Sequence, residues 1–131
     1  MQINAPEVLA ELGAIFERYE AALVGNEVEN LDALFWPSNF TVRFGTGENL
    51  YGIAAIRAFR SARSAAGLAR SLQHTVITTF GSGFGTTSTE FRRAGSALVG
   101  RQQQTWVRLP ELGWRVVAAH VSLIPEPAAA P

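Results

Sequence analysis

A chain of 131 residues, 47% hydrophobic and 17% charged, suits a single globular domain. Eleven basic residues balance eleven acidic ones, every basic residue is arginine, and there is no cysteine. That composition excludes disulfides, thiolate nucleophiles and lysine Schiff bases, and neutrality with scattered arginines argues against a nucleic-acid footprint.

The first residues, MQINAPEVLAELG, carry neither a basic n-region nor an apolar h-region, so they read as the start of a cytoplasmic protein. Residues 6–25 predict a helix with proline at its start and Gly25 at its end. Val8, Leu12, Ile15, Phe16, Tyr19, Ala22 and Leu23 fall on one face, which turns the Tyr19 ring inward. A short helix over about 28–35 stops before Pro37. Residues 40–45 read as a strand, and TVRFGTGENLYG sets Arg43 inside it, just ahead of a glycine loop bearing Glu48 and Tyr51. Residues 52–63 are again helical, with Arg60 and Arg63 in the arc of Ile53, Ile56 and Phe59.

Segments near 70–80, 84–93, 100–109 and 113–124 are rich in Val, Thr, Phe and Trp and are separated by turn residues. Helices followed by long antiparallel strands give an α+β fold, a cone-like curved sheet around the first helix with an open internal pocket. Residues 1–124 read as one domain and 125–131 as a flexible tail. No run approaches the ~18 apolar residues of a membrane span. Asp32 is the only aspartate, with no obvious partner, and His74 and His120 are the only histidines; no metal or organic cofactor is expected.

Strict alternation in the last strand puts Trp114, Val116, Ala118, His120 and Ser122 on one face. In the strand before it, Gln102, Gln104 and Trp106 alternate with Arg101, Gln103 and Thr105. Arg60, Arg63, His120, Gln104 and Glu48 are therefore candidates to line the pocket. Each has a plainer reading: arginines snorkelling from a buried face, a core histidine, a loop carboxylate paired with Arg43. Apolar residues on both faces of the last strands point to a homodimer through the outer face of the sheet.

The runs ERYEAAL, VRFGTGENLYGIAAIRAFRSAR, RSLQHTVITTFG and VGRQQQTWVRLPELGWRVVAAHVSLI resemble the AtzH-like family, within the nuclear-transport-factor-2-like (NTF2-like, SnoaL-like) superfamily. The resemblance spans about residues 3–124 and implies the cone-shaped fold. It also implies decarboxylating amidohydrolysis of 1,3-dicarboxyurea, a small urea-derived dianion, to allophanate. Tyr19 and Arg43 match the family's functional tyrosine and arginine. Members occur beside an amidase and its small partner subunit in clusters for nitrogenous compounds, which makes that amidase a candidate functional partner. Two other readings stand beside this one: a non-catalytic accessory subunit for the amidase, and an isomerase or dehydratase of the ketosteroid-isomerase kind.

Overall fold

Helix α1 (Pro6–Val24) opens on a proline, whose missing N–H falls among the unbonded amides of a first turn. It closes at Gly25, whose amide bonds back to Ala21. Its buried stripe is Val8, Leu12, Phe16, Tyr19, Ala22 and Leu23, which matches the helical period of the sequence. The short α2 (Val28–Ala33) follows, then β1 (Val42–Phe44), β2 (Asn49–Tyr51) and α3 (Ile53–Ala62). Four longer strands complete the chain: β3 (Ser71–Phe80), β4 (Phe84–Arg92), β5 (Leu98–Leu109) and β6 (Gly113–Pro125). This computed structural model describes residues 1–127.

The six strands form one curved, unclosed sheet in the order β2-β1-β6-β5-β4-β3. All neighbours are antiparallel except β1 and β6, which run parallel. Strand β2 was read from sequence as loop. It is three residues long, too short for an alternating pattern to register, and it exists by pairing Tyr51 with Val42 and Asn49 with Phe44. Strand β6 runs to Pro125, and Arg92 Nη2 donates to Glu126 Oε1 at 2.8 Å, so the chain stays attached slightly past the expected domain end. Residues 128–131 of the expected tail lie outside the described residues.

The helices cover one face of the sheet. Its core joins Leu12, Leu31, Phe35, Ile56, Trp106 and Val116. A Cβ on Gly85 would collide with Leu12, so α1 lies directly on β4 there.

One irregularity decides which side chains face the helices. Thr105 pairs with Ala118 but Trp106 pairs with Val116, leaving Val117 as an extra residue in β6. An inserted residue inverts every later side chain relative to strict alternation. Trp114 and Val116 point inward before the bulge, and Ala119 is buried after it. His120 consequently turns to the outer face and is exposed, which corrects its expected place beside the pocket. Its neighbours across the strands are Phe44 and Gln103. The inward row one residue away is Arg43, Ala119, Gln104 and Thr87.

Candidate functional site

Arg43 reaches the interior from β1 and its Nη1 donates to Glu48 Oε1 at 3.0 Å. Glycine at position 45 makes this contact possible, because a Cβ there would collide with the Glu48 carboxylate. The R-x-G-x-x-E spacing thus encodes a loop that folds its own glutamate onto its own arginine. The guanidinium also lies 5.5 Å from the Phe59 ring centroid, within cation–π range.

Two further arginines are held the same way. Arg60 of α3 is buried, bonds Asp32 Oδ1 at 2.6 Å and lies over Phe35. Asp32, which seemed partnerless in the sequence, anchors α3 to α2 through this bond, and Arg60 is no snorkelling surface residue. Arg70, just before β3, forks onto Glu20 of α1 through Nε and Nη2, with contacts of 2.6–3.2 Å. Its Nη2 also donates to Gln102 Oε1 at 3.0 Å, and the group lies over Phe91.

Arg63 and Arg93 are different. Arg63, at the C-terminal end of α3, has Nε and Nη2 buried with no hydrogen-bond partner. Burial holds its pKa below the usual arginine range, the Arg60 and Arg43 guanidinia push the same way, the Tyr19 phenol opposes them, and Arg93 adds a further lowering. Arg93, just after β4, has a buried Nε without a partner. Its pKa is lowered by burial and by Arg70, with Glu20 opposing, and it shares the Phe91 ring with Arg70. These couplings put Tyr19, Arg43, Arg60, Arg63, Arg70 and Arg93 in one electrostatic neighbourhood.

The glutamines supply the rest. Trp106 Nε1 donates to Thr87 Oγ1 at 3.0 Å, and Thr87 Oγ1 donates to Gln104 Oε1 at 3.0 Å. Arg70 fixes the oxygen of Gln102 in the same manner. With both amide oxygens occupied, both NH2 groups are committed as donors, and both are buried without acceptors. Gln102 and Gln104 stand on one strand face, about 7 Å apart. Tyr19 is buried on α1 and packs against Phe35 and Trp106, with ring centroids 6.2 Å away in each case.

This end of the cone therefore holds five arginines, of which three carry a carboxylate of their own. Two carry none, and two glutamine amides add donors without acceptors. An unpaired buried donor costs about 1–3 kcal/mol. A small ligand with two negative charges and several acceptor atoms would satisfy the whole set.

Of the residues singled out in the sequence, Tyr19, Arg43, Arg63 and Gln104 converge here. Arg60 and Glu48 are neighbours already committed to Asp32 and Arg43. His120 is on the other face, 6.2 Å edge-on to Phe44, and His74 is exposed with a left-handed backbone (φ 53°) where the β3 register slips. Arg70, Arg93 and Glu20 were missed, and Gln102 was placed on the face of Gln104 without being assigned to the site. Ser71 pairs with Arg92, so the residue before β3 and the residue after β4 must be neighbours. That signal was present in the hairpin spacing.

Size alone points elsewhere. A depression of about 470 Å³ on the outer face is lined by His74 and His120 together with Arg101, Gln103, Ser88 and Ser122, and one of about 500 Å³ beside α1 and α2 includes Glu27, Asn30 and Arg115. In the first, Arg101 bonds Ser122 and Gln103 bonds Ser88; in the second, Asn30 bonds Glu27 and Arg115 bonds a backbone carbonyl. Buried donors without acceptors, not volume, mark the inner site.

The profile of a family described as AtzH-like matches residues 1–127. A solved structure of a protein of unknown function from the DUF3225 family of Pectobacterium atrosepticum is 60% identical, covers 93% of this chain and 94% of its own, and superposes with a TM-score of 0.91. A cystatin-like fold protein from Burkholderia xenovorans is 49% identical over 97% of this chain and 99% of its own, with a TM-score of 0.94. An NTF2-like superfamily protein from Salmonella enterica, 21% identical over 95% and 94% of the two chains at a TM-score of 0.72, shares the fold. No curated protein matches the sequence.

Proposed function

We propose, from the premise that the chain belongs to the AtzH-like family, that it removes carbon dioxide from a small N-carboxylated urea such as 1,3-dicarboxyurea and releases allophanate. The observation that carries this reading is the surplus of two uncompensated arginines, Arg63 coupled to Tyr19 and Arg43 and Arg93 further along the same cluster. In the reaction, the bond between the leaving carboxylate carbon and the urea nitrogen breaks. Its electron pair goes to nitrogen, which takes a proton, and carbon dioxide departs to be hydrated. Arg43 holds the reacting carboxylate with part of its planar fork while Glu48 steadies the rest. Tyr19 supplies the proton to nitrogen as general acid and recovers it from water. Apolar walls from Phe35, Phe59 and Trp106 limit the water around the carboxylate. No metal or organic cofactor enters this scheme.

The test is to incubate purified protein with 1,3-dicarboxyurea, alone and with an amidase, and follow substrate loss and allophanate formation. Tyr19→Phe keeps the ring, so affinity should persist while turnover falls roughly thirty- to a thousand-fold. Arg43→Lys loses the bidentate fork, so affinity should fall with turnover. Normal turnover in folded Tyr19→Phe removes Tyr19 from the chemistry. Ligand binding without turnover in either mixture leaves an accessory binding subunit. For the outer face we keep the proposal of a homodimer, supported by exposed Val76, Phe84 and Tyr51, and light scattering that finds only monomer would overturn it.

A further inference from the structure

The unpaired donors do more than add positive charge; they extend from the row of Arg43 toward the end of β4. Arg43 and Gln104 share an inward row across β1, β6 and β5, with Ala119 between them. Gln102 lies one row further along β5, opposite Thr89 of β4. Arg93 lies beyond, at the end of β4, while Arg63 descends from α3 and feels both Arg43 and Arg93. The site is therefore elongated, with Tyr19 and Arg43 toward one end and Arg93 with Gln102 toward the other.

We infer that Arg63, Arg93 and the amide groups of Gln102 and Gln104 form a second carboxylate clamp, which makes this site selective for dianions over monoanions. The inference rests on the reading of the site as one for a dicarboxylated urea, and it assigns the end of the ligand that does not react. Gln102 and Gln104 are 3% and 2% exposed, and their amide nitrogens lack acceptors. Arg70, a donor only, holds the Gln102 oxygen, and the Thr87 hydroxyl donates to that of Gln104, so both amides present their nitrogens to the site. A donor-only surface of this kind binds carboxylate and rejects amide and ammonium groups. Asp32 and Glu20 already neutralise Arg60 and Arg70, so neither adds net positive charge to the clamp. The clamp also gives direction to the reaction. Substrate enters with a carboxylate at each end, whereas allophanate keeps only one. Product satisfies one clamp at a time and leaves more readily than substrate.

The experiment is calorimetric binding of glutarate, which spaces two carboxylates by three atoms as dicarboxyurea does, against butyrate, which keeps one. Wild type is expected to bind glutarate at least about thirtyfold more tightly than butyrate. Arg93→Gln and Arg63→Gln are each expected to remove most of that preference while changing butyrate affinity less than about threefold. Gln102→Glu keeps the side-chain shape and replaces a donor with a negative charge, so it too should abolish the preference. It serves if the arginine variants fail the circular dichroism check for folding. Equal affinity for both ligands in wild type, no binding of either, or an undiminished preference in folded variants each overturns the clamp. Turnover of dicarboxyurea is measured separately. Turnover without dianion preference overturns the clamp and keeps the proposed reaction; dianion preference without turnover keeps the clamp and overturns the reaction.

Discussion

The inner face of the sheet has two ends built on opposite principles. At one, Leu12, Trp106, Trp114 and Val116 fill the space between α1 and the strands, and both indole N–H groups are bonded, Trp114 Nε1 to Glu11 at 2.7 Å and Trp106 Nε1 to Thr87, while the Thr79 hydroxyl oxygen is left without a partner. At the other, arginines crowd together and four side chains keep buried N–H groups without acceptors. The first end departs from the rule that buried polar groups are satisfied by one neutral hydroxyl, Thr79; the second departs from it at four side chains, two of them charged. Folding free energy must come from the first end, because the second subtracts from it. A fold tolerates such a subtraction where a ligand later removes it.

The largest effect that tests this division is expected from Trp106→Ala. The side chain is wholly buried and its loss should cost about 3–5 kcal/mol, a large share of the 5–15 kcal/mol typical of a domain. Urea denaturation is the measurement, and a loss below about 1 kcal/mol would show that the aromatic end is not where stability resides. Glu20→Gln comes next. It strands Arg70, whose side chain is 1% exposed, with only Gln102 and Phe91 for company. Removing one partner of a buried pair costs about 3–5 kcal/mol, and with Glu20 17% exposed the lower end of that range is expected. Added glutarate should recover part of that loss, since the third uncompensated arginine joins the two already present.

The same contrast explains what could be read from sequence. Apolar periodicity set out α1 and the order of helices before strands, because burial repeats at 3.6 or 2 residues and leaves a trace in every turn. Tyr19 is turned inward by its phase in that stripe, whereas Arg43, between Val42 and Phe44, could face water or the interior and is assigned to the site only by the family resemblance. The pairing of arginines leaves no such trace. Arg70 meets Glu20 across fifty residues and Arg60 meets Asp32 across twenty-eight, so neither partner marks the other locally. The bulge at Val117 is equally silent: a valine that is skipped looks the same as one that is counted, and the error moved His120 through the sheet. The third arginine pair, Arg43 with Glu48, was legible because its partners are only five residues apart, across a loop that carries Gly45.

A smaller effect of opposite sign is expected from Arg63→Met. Burial and the neighbouring guanidinia disfavour the charged form in the folded state, which is what its lowered pKa expresses. For a base the sign is clear: the penalty is fully present at neutral pH and fades only as pH rises through the lowered value. The dipole at the C-terminal end of α3 favours a cation there by about 0.3–1 kcal/mol, but the burial and repulsion that lower the pKa act against it. Replacing the cation with an apolar chain of similar length should stabilise the unliganded protein by about 1 kcal/mol, or roughly 3–5 °C in Tm. It should also eliminate the thermal shift on adding glutarate. A lowered Tm would mean that Arg63 already contributes to stability without a ligand, and the two ends would no longer be opposites.

The smallest effect separates a buried pair from an exposed one. Arg92 and Glu126 bond at 2.8 Å on the rim of the sheet, with side chains 29% and 57% exposed, against 1% and 17% for Arg70 and Glu20. The hydrogen bond from Arg92 and its charge hold the Glu126 carboxyl below the usual glutamate range. A carboxylate whose pKa is depressed by folding stabilises above its ordinary value of 4.5, and the contribution disappears as pH falls through the lowered value. Below that window the end of β6, where Leu98 pairs with Pro125, should fray, seen as faster amide exchange at Leu123 and Ile124 with no change in global Tm. Glu126→Gln should remove the pH dependence. At neutral pH, about 1 M salt, with a screening length of ~3 Å, should produce the same fraying and leave the amides around Arg70 and Glu20 protected. If salt exposed both regions equally, Arg70 and Glu20 would be as accessible to ions as the rim, and the inner cluster would lose the water exclusion that makes its unpaired donors costly.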